Sequence, residues 1–199
     1  LMIFGPILTM VAVLAGPIGP SVDQGDAVAV LTELGKNVAW GQTSLMLMGL
    51  GLALRTIGLA GVKDSMAGGS GYHYAQLGFL LILLGTAGEM VEIALMVGAA
   101  EAAGLGAAGM ATGGNLYASS GAVGASSTIL LFLGIAILGA AILIQKNFPM
   151  VIALGLVLAG IAGVIGPIID YHSSLMAIPY VGGSIIVITM GVMTMRNKS

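Results

Sequence analysis

Two carboxylates inside an apolar stretch are the residues of this chain best suited to chemistry. Glu89 and Glu92 lie in the run GTAGEMVEIALM, residues 85–96. Three residues apart on a helix they share a face, and two dry, ionised carboxylates on one face repel each other. At least one of them should therefore carry a proton, bind a cation, accept hydrogen bonds or lie in an aqueous vestibule.

The depth of these carboxylates in the predicted helix decides what they can do. If that helix begins near Tyr74, Glu89 lies roughly 22 Å and Glu92 roughly 27 Å along it, toward the outer leaflet. A carboxylate at mid-bilayer costs about 2.5–3.5 kcal/mol, so such residues face the bundle interior and often mark ion or proton routes. Glu89 and Glu92 are thus candidates for binding an ion, a proton or a solute. Alternatively, Glu89 hydrogen-bonds a Ser, Thr or Asn of a neighbouring helix and Glu92 marks the outer interface.

A second candidate group lies in the sequence Asp170-Tyr171-His172, between two apolar segments and on the same predicted outer side as Glu92. Carboxylate oxygens and an imidazole nitrogen are ligands that suit a divalent transition metal. Glu92, Asp170 and His172 therefore form a metal-site hypothesis. The alternative is a polar turn at the water interface, in which case no cofactor is expected.

Composition indicates which solvent surrounds the helices that carry these residues. Of 199 residues, 58% are hydrophobic and 7% are charged, whereas a soluble domain has about 25% charged residues. Apolar segments of about 20 residues, the length needed to cross a bilayer, recur along the chain. The predicted fold class is all-α: a polytopic membrane helix bundle of about six transmembrane helices. Its expected location is the cell membrane, as a multi-pass protein of the prokaryotic cytoplasmic membrane.

A single transmembrane domain is expected over residues 1–199. Uninterrupted apolar stretches predict spans at residues 2–19, 38–60, 74–98, 125–145, 149–169 and 174–195. Residues 2–19 show no small-residue cleavage pattern, which favours a retained span over a leader. Residues 99–124, rich in Ala and Gly, are predicted to form the one long loop, on the outer side.

The basic residues predict the orientation of the bundle. Five of the six share one face, namely Arg55, Lys63, Lys146, Arg196 and Lys198, while Lys36 lies on the other. The positive-inside rule makes the first face cytoplasmic, so both termini are expected inside (N-in/C-in). Arg55 is expected to extend its guanidinium to that interface. Tyr171 and Tyr180, near predicted span ends, are expected to mark the interface and to imply no site.

Small residues indicate where helices approach each other in lipid. Gly155, Ala159 and Gly163 form a row at four-residue spacing, which is typical of close helix packing. Residues 15–23 also resemble residues 162–170. Either a hairpin is duplicated, with helices broken at Gly-Pro as in some transporters, or two helix ends share the same Gly-then-Pro stop chemistry.

These observations leave three functional hypotheses. No cysteine is present, the sequence contains no Walker-type or HExxH motif, and no basic run could neutralise a row of phosphates. Nucleic acid is therefore not an expected partner, and an enzyme is not favoured. The leading hypothesis is a non-catalytic accessory or structural subunit of a larger membrane complex, with the bilayer and other membrane subunits, or further copies of itself, as partners. The alternatives are a small transporter or channel for an ion, proton or small neutral solute using Glu89, and a membrane metal-binding subunit.

Overall fold

The computed structural model describes residues 1–19 and 21–196, and in these ranges every regular element is a helix. The all-helical fold class is thereby confirmed. The seven α-helices are α1 (Phe4–Ala15), α2 (Ala27–Lys36), α3 (Val38–Asp64), α4 (Tyr72–Gly104), α5 (Met110–Gln145), α6 (Met150–Asp170) and α7 (Ala177–Arg196). Short 3₁₀ turns at Gly106–Ala108 and Ser174–Met176 precede α5 and α7.

Within the described residues, five segments are long and apolar enough to cross a bilayer, where six spans were predicted. They are α3, α4, α5, α6 and Ser174–Arg196, which contains α7. The remaining predicted span, residues 2–19, contains only α1, whose 12 residues measure about 18 Å against a hydrocarbon core of roughly 30 Å. The count of six spans is therefore not confirmed, and the N-in/C-in orientation stays a prediction.

Helix α1 lies antiparallel against α3, with contacts that run from Gly58 to Ser44 of α3. The two backbones approach through glycine, since a methyl group on Gly5 would lie 2.5 Å from the backbone nitrogen of Arg55. Although α1 is short, it covers the middle of α3 and the backbone that carries Arg55.

The predicted outer loop over residues 99–124 is wrong. Helix α4 continues to Gly104 and α5 already begins at Met110, so most of this stretch is helical. Alanine has the highest helix propensity of all residues, and the stretch contains no proline to stop a helix. The reversal needs only a short turn, in which Gly106 adopts a φ of +65° that few other residues tolerate. Composition alone suggested a loop because Ala and Gly add little apolar bulk.

Helix α2 packs on the C-terminal end of α4 and the N-terminal end of α5 and was not anticipated. Asp26 caps it by accepting hydrogen bonds from the backbone of the first turn at 2.9 and 3.2 Å. Val30 and Leu34 are fully buried in a cluster that also contains Tyr117 of α5. The Tyr117 hydroxyl donates to the carbonyl of Gln24 at 2.5 Å. A small cap of α2 and its preceding turn thus closes this end of the bundle.

Glycines set the closest approach between α4 and α5. A methyl group on Gly78 would lie 2.8 Å from the Gly134 carbonyl oxygen, and one on Gly134 would lie 2.5 Å from the Gly78 carbonyl oxygen. Gly85 meets the backbone of Leu131 in the same way. With no side chain between them, the backbones of α4 and α5 touch, which is how helices gain contact area in lipid.

The predicted small-residue row on α6 faces two different neighbouring helices. Gly155 faces Ile186 of α7, whereas Gly163 lies against the ring of Phe132 of α5. The segment around Gly163 also shows that residues 15–23 and 162–170 differ in structure. The first copy leaves its helix at Gly16, while the second, with Pro167, stays in α6 up to Asp170. The similarity does not produce two broken helices.

Polar and apolar side chains are distributed as in a protein surrounded by lipid. Large apolar side chains are exposed along the long helices, among them Leu80, Leu84, Leu158, Ile161 and Ile185. Several polar or charged side chains are buried between the same helices, namely Ser44, Arg55, Thr56, Thr86, Glu89, Ser120, Ser127, Thr128 and Ser184. This distribution and the five long apolar helices are compatible with a multi-pass integral membrane protein.

Candidate functional site

Glu89 lies in the interior of the bundle, near the middle of α4, and is 4% exposed. Its Oε1 accepts a hydrogen bond from the Thr128 hydroxyl of α5 at 2.7 Å and another from the Tyr180 hydroxyl of α7 at 2.9 Å. Those two hydroxyls are themselves 2.8 Å apart. Three helices therefore meet at one carboxylate oxygen, and the hydrogen bond to a threonine of a neighbouring helix is one of the arrangements that the sequence suggested.

Arg55 is also buried, with 4% of its surface exposed, and the expectation that it reaches the interface is wrong. Helix α3 continues nine residues beyond it to Asp64, which places Arg55 about 14 Å from that helix end. Its backbone is covered by α1 at Gly5. The predicted span ended at residue 60, so Arg55 was taken to lie closer to water than it does.

A hydrogen bond between α3 and α4 fixes the relative height of Arg55 and Glu89. The hydroxyls of Thr56 and Thr86 are 2.8 Å apart in the bundle interior. Because the helices are antiparallel, Arg55 lies one residue and Glu89 three residues from that level, in the same direction. The two charged residues are therefore only about 3 Å apart along the helix axes.

The Arg55 guanidinium lies within electrostatic range of both the Glu89 carboxyl and the Tyr180 phenol. Within the described residues it makes no ion pair with Glu89, and its buried Nε and Nη2 have no hydrogen-bond partner. A buried guanidinium without partners is costly, since such a group normally pairs with a carboxylate or a carbonyl. The interior thus holds one acid whose Oε1 is engaged and one base with two unpartnered nitrogens, Nε and Nη2.

Glu92 lies one turn nearer the C-terminal end of α4 and is half-buried. Tyr171, in the turn between α6 and α7, donates its hydroxyl to Glu92 Oε1 at 2.8 Å. Burial is the main cause that raises the pKa of the Tyr171 phenol, so this hydroxyl remains a donor at neutral pH. A side chain on Gly124 of α5 would collide with both partners, so a larger residue there would have to displace this pair.

The three residues of the metal hypothesis do not form one group. Asp170 is exposed, and its Oδ1 accepts the backbone N–H of His172 at 3.0 Å. The His172 ring stacks on Tyr117 with centroids 5.7 Å apart and meets the edge of Tyr171 at 5.4 Å. In residues 1–19 and 21–196, no three acidic or histidine side chains are placed to hold a metal ion. The metal site remains a prediction without geometric support.

Sequence reasoning identified Glu89 but missed its partners. Tyr180, expected at the interface, instead bonds Glu89 in the interior and packs edge-on against Phe132, with centroids 5.0 Å apart. Tyr171, likewise expected to imply no site, bonds Glu92. The one available signal was an arginine and a glutamate in consecutive spans, since intramembrane charges pair. Nothing in the sequence distinguishes Thr128 from the other hydroxyl residues of α5.

No protein-family model, curated protein or solved structure matches this chain. The chemistry of the site therefore rests on its own geometry. A buried carboxylate held by hydroxyls can bind and release a proton, and a nearby guanidinium can bind an anion.

Proposed function

We propose that this chain is a small membrane transporter in which Glu89 takes up and releases a proton during each transport cycle. The observation that carries the proposal is the burial of Glu89 at the meeting point of α4, α5 and α7, with Arg55 of α3 beside it. Ionisable residues inside a membrane bundle are costly, and those that persist commonly lie on proton or ion routes.

The position of Glu92 supports a route from the outer end of the bundle. Glu92 is on the same face of α4 as Glu89, one turn away, and the charges of the two carboxyls interact. Its partner Tyr171 lies next to His172, which is half-buried in the outer turn. A proton that enters near His172 would thus meet Tyr171, Glu92 and Glu89 in succession, all of them groups that can donate or accept a proton.

Proton flux into vesicles tests this function. The purified chain is reconstituted into vesicles that contain a pH-sensitive dye, in potassium nitrate with valinomycin, and the external pH is lowered in one step. We expect faster internal acidification than in empty vesicles, and at least a tenfold slower protein-dependent rate for Glu89→Gln. Glu101→Gln is the matched control, because Glu101 is an exposed glutamate on the same helix. A Glu89→Gln rate equal to the unsubstituted rate would refute the proposal.

A second candidate is the accessory subunit of a membrane complex, and one feature favours it. Helices α4 and α5 have 33 and 36 residues, or about 50 and 54 Å, against a hydrocarbon core of roughly 30 Å. Their outer ends, capped by α2, would therefore extend beyond the lipid and offer a surface to another subunit. Native mass spectrometry after mild extraction distinguishes the two candidates: fixed stoichiometry with larger chains favours the subunit, and a lone chain or homo-oligomer favours the transporter.

A further inference from the structure

The two unpartnered nitrogens of Arg55 lie on the same edge of its guanidinium. Nε–H and one Nη2–H point outward from that edge in parallel, and both nitrogens are buried without a hydrogen-bond partner in the described part of the chain. Such an edge fits two oxygens of one planar group, as in a bidentate ion pair between an arginine and a carboxylate. A spherical ion or a single hydroxyl would satisfy it less well.

The surroundings of Arg55 determine what charge the occupant should carry. Glu89 faces it from α4, and Tyr180 faces it from α7. Glu92 interacts with Glu89 along α4, and Tyr171 faces Glu92 from the outer turn. On α5, the group that contacts Glu89 is the neutral Thr128 hydroxyl. Among the described residues, Arg55 is thus the one buried permanent positive charge, and Glu89 is the buried carboxyl group that interacts with it.

With Glu92 neutral, two arrangements leave this interior electrically balanced. With Glu89 ionised, its negative charge offsets the guanidinium. With Glu89 protonated, the guanidinium needs a negative charge from elsewhere, because an unpaired buried charge is strongly unfavourable. Uptake of a proton by Glu89 therefore favours entry of a monovalent anion, and departure of the anion favours release of the proton.

We propose that the Nε–Nη2 edge of Arg55 binds a small, planar, monovalent oxyanion, of the carboxylate or nitrate type, which enters together with one proton carried by Glu89. This inference names the substrate class of the proposed transporter and rests on that function for its role in transport. One anion and one proton enter and leave together, so each step moves no net charge into the interior.

Calorimetric titration of the purified full chain in detergent tests the proposal without measuring flux. Nitrate and acetate are the probes, and titration in two buffers of different ionisation enthalpy counts the protons taken up per anion. We expect one site, and proton uptake near one per anion at pH values where Glu89 is ionised. In that range the affinity for the anion should fall about tenfold for each unit by which the pH rises, as for any ligand whose binding takes up one proton. Tighter acetate binding indicates an organic carboxylate as substrate, and tighter nitrate binding indicates an inorganic oxyanion.

Three variants locate the site. Arg55→Gln should weaken both probes at least tenfold. Arg55→Lys retains the charge but not the two-donor edge, so it should weaken nitrate and acetate binding much more than chloride binding, and it covers the case in which Arg55→Gln does not fold. Glu89→Gln should bind the probes with no proton uptake and no pH dependence over the range where Glu89 titrates, while Glu101→Gln should behave as the unsubstituted chain.

The outcomes separate this inference from the proposed function. Absence of nitrate and acetate binding to the unsubstituted chain, or binding that Arg55→Gln and Arg55→Lys leave unchanged, would overturn the anion site even if Glu89→Gln abolishes proton flux. Binding without proton uptake would overturn the coupling to Glu89. Arg55-dependent, proton-linked binding alongside normal flux in Glu89→Gln would instead support the site and refute the proposed transport role.

Discussion

Replacement of Gly163 by alanine tests the packing that positions Tyr180. A methyl group at Gly163 of α6 would overlap Cγ, Cδ1 and Cδ2 of the Phe132 ring. That ring is 1% exposed and contacts Tyr180 edge-on, so it cannot turn out to the surface to make room. Overpacking of a filled core typically costs about 1–3 kcal/mol. Gly163→Ala should therefore lower the free energy of unfolding by about that amount.

The matched control is Gly182→Ala on α7. A methyl group there has no atom within 4 Å, and replacement of glycine by alanine inside a helix stabilises it by up to about 1 kcal/mol. The two substitutions make the same chemical change, yet their effects should differ by about 1–4 kcal/mol because only Gly163 faces a buried ring. Unfolding in mixed micelles by added dodecyl sulfate, followed by circular dichroism, measures both.

A rescue variant identifies the contact that is responsible. Phe132→Leu removes part of the ring, so in that background Gly163→Ala should cost less than in the unsubstituted chain, by about 1 kcal/mol or more. Equal stability of Gly163→Ala and Gly182→Ala would refute the assignment of Phe132 as the neighbour of Gly163. Strict additivity of Gly163→Ala and Phe132→Leu would refute it as well.

Three further substitutions test the polar contacts. Tyr180→Phe removes a hydrogen bond to Glu89 and should cost about 1–3 kcal/mol in the same unfolding assay, while Tyr74→Phe, at an exposed tyrosine, should cost nearly nothing; equal costs would contradict the bond. Asp26→Ala removes the cap of α2 and should cost about 0.5–2 kcal/mol, with faster amide exchange confined to α2 and its neighbours; unchanged exchange would argue against the cap. Burial raises the pKa of Tyr171 in the folded chain, so its stabilising contribution is fully present below about pH 10, the ordinary phenol value, and is lost as the pH rises from there toward the raised pKa. In Tyr171→Phe the free energy of unfolding should therefore decrease less steeply as the pH rises above about 10. The same pH dependence in the variant and in the unsubstituted chain would refute this.

The long helices could be predicted because lipid imposes a simple rule on the sequence. A helix that crosses a bilayer needs about 20 apolar residues, and the predicted segments 38–60 and 174–195 lie within Val38–Asp64 and Ser174–Arg196. The helical stretch over 99–124 could not be predicted by the same rule. It is held by alanine propensity and by contact with α2, and neither produces a long apolar run.

The candidate site could be predicted only in part for a related reason. Glu89 is conspicuous because a carboxylate far from both ends of an apolar segment is costly. The burial of Arg55 was harder to predict, because the charged residues Lys63 and Asp64 in the last turn of α3 indicate that the water interface is near. Its burial depends on α1, which lies over α3 through glycine contacts. Hydropathy along one segment carries no information about which other segment covers it.

The hydrogen bonds at Glu89 have a consequence for how this carboxylate can move. Glu89 Oε1, Thr128 and Tyr180 form a closed triangle with sides of 2.7, 2.9 and 2.8 Å. If the carboxylate turns toward Arg55, it leaves both hydroxyls together, and one of those hydroxyls can then donate its hydrogen to the other. We therefore expect the side chain to take two discrete positions rather than a continuous range, and a step between them to change contacts on α3, α5 and α7 at once.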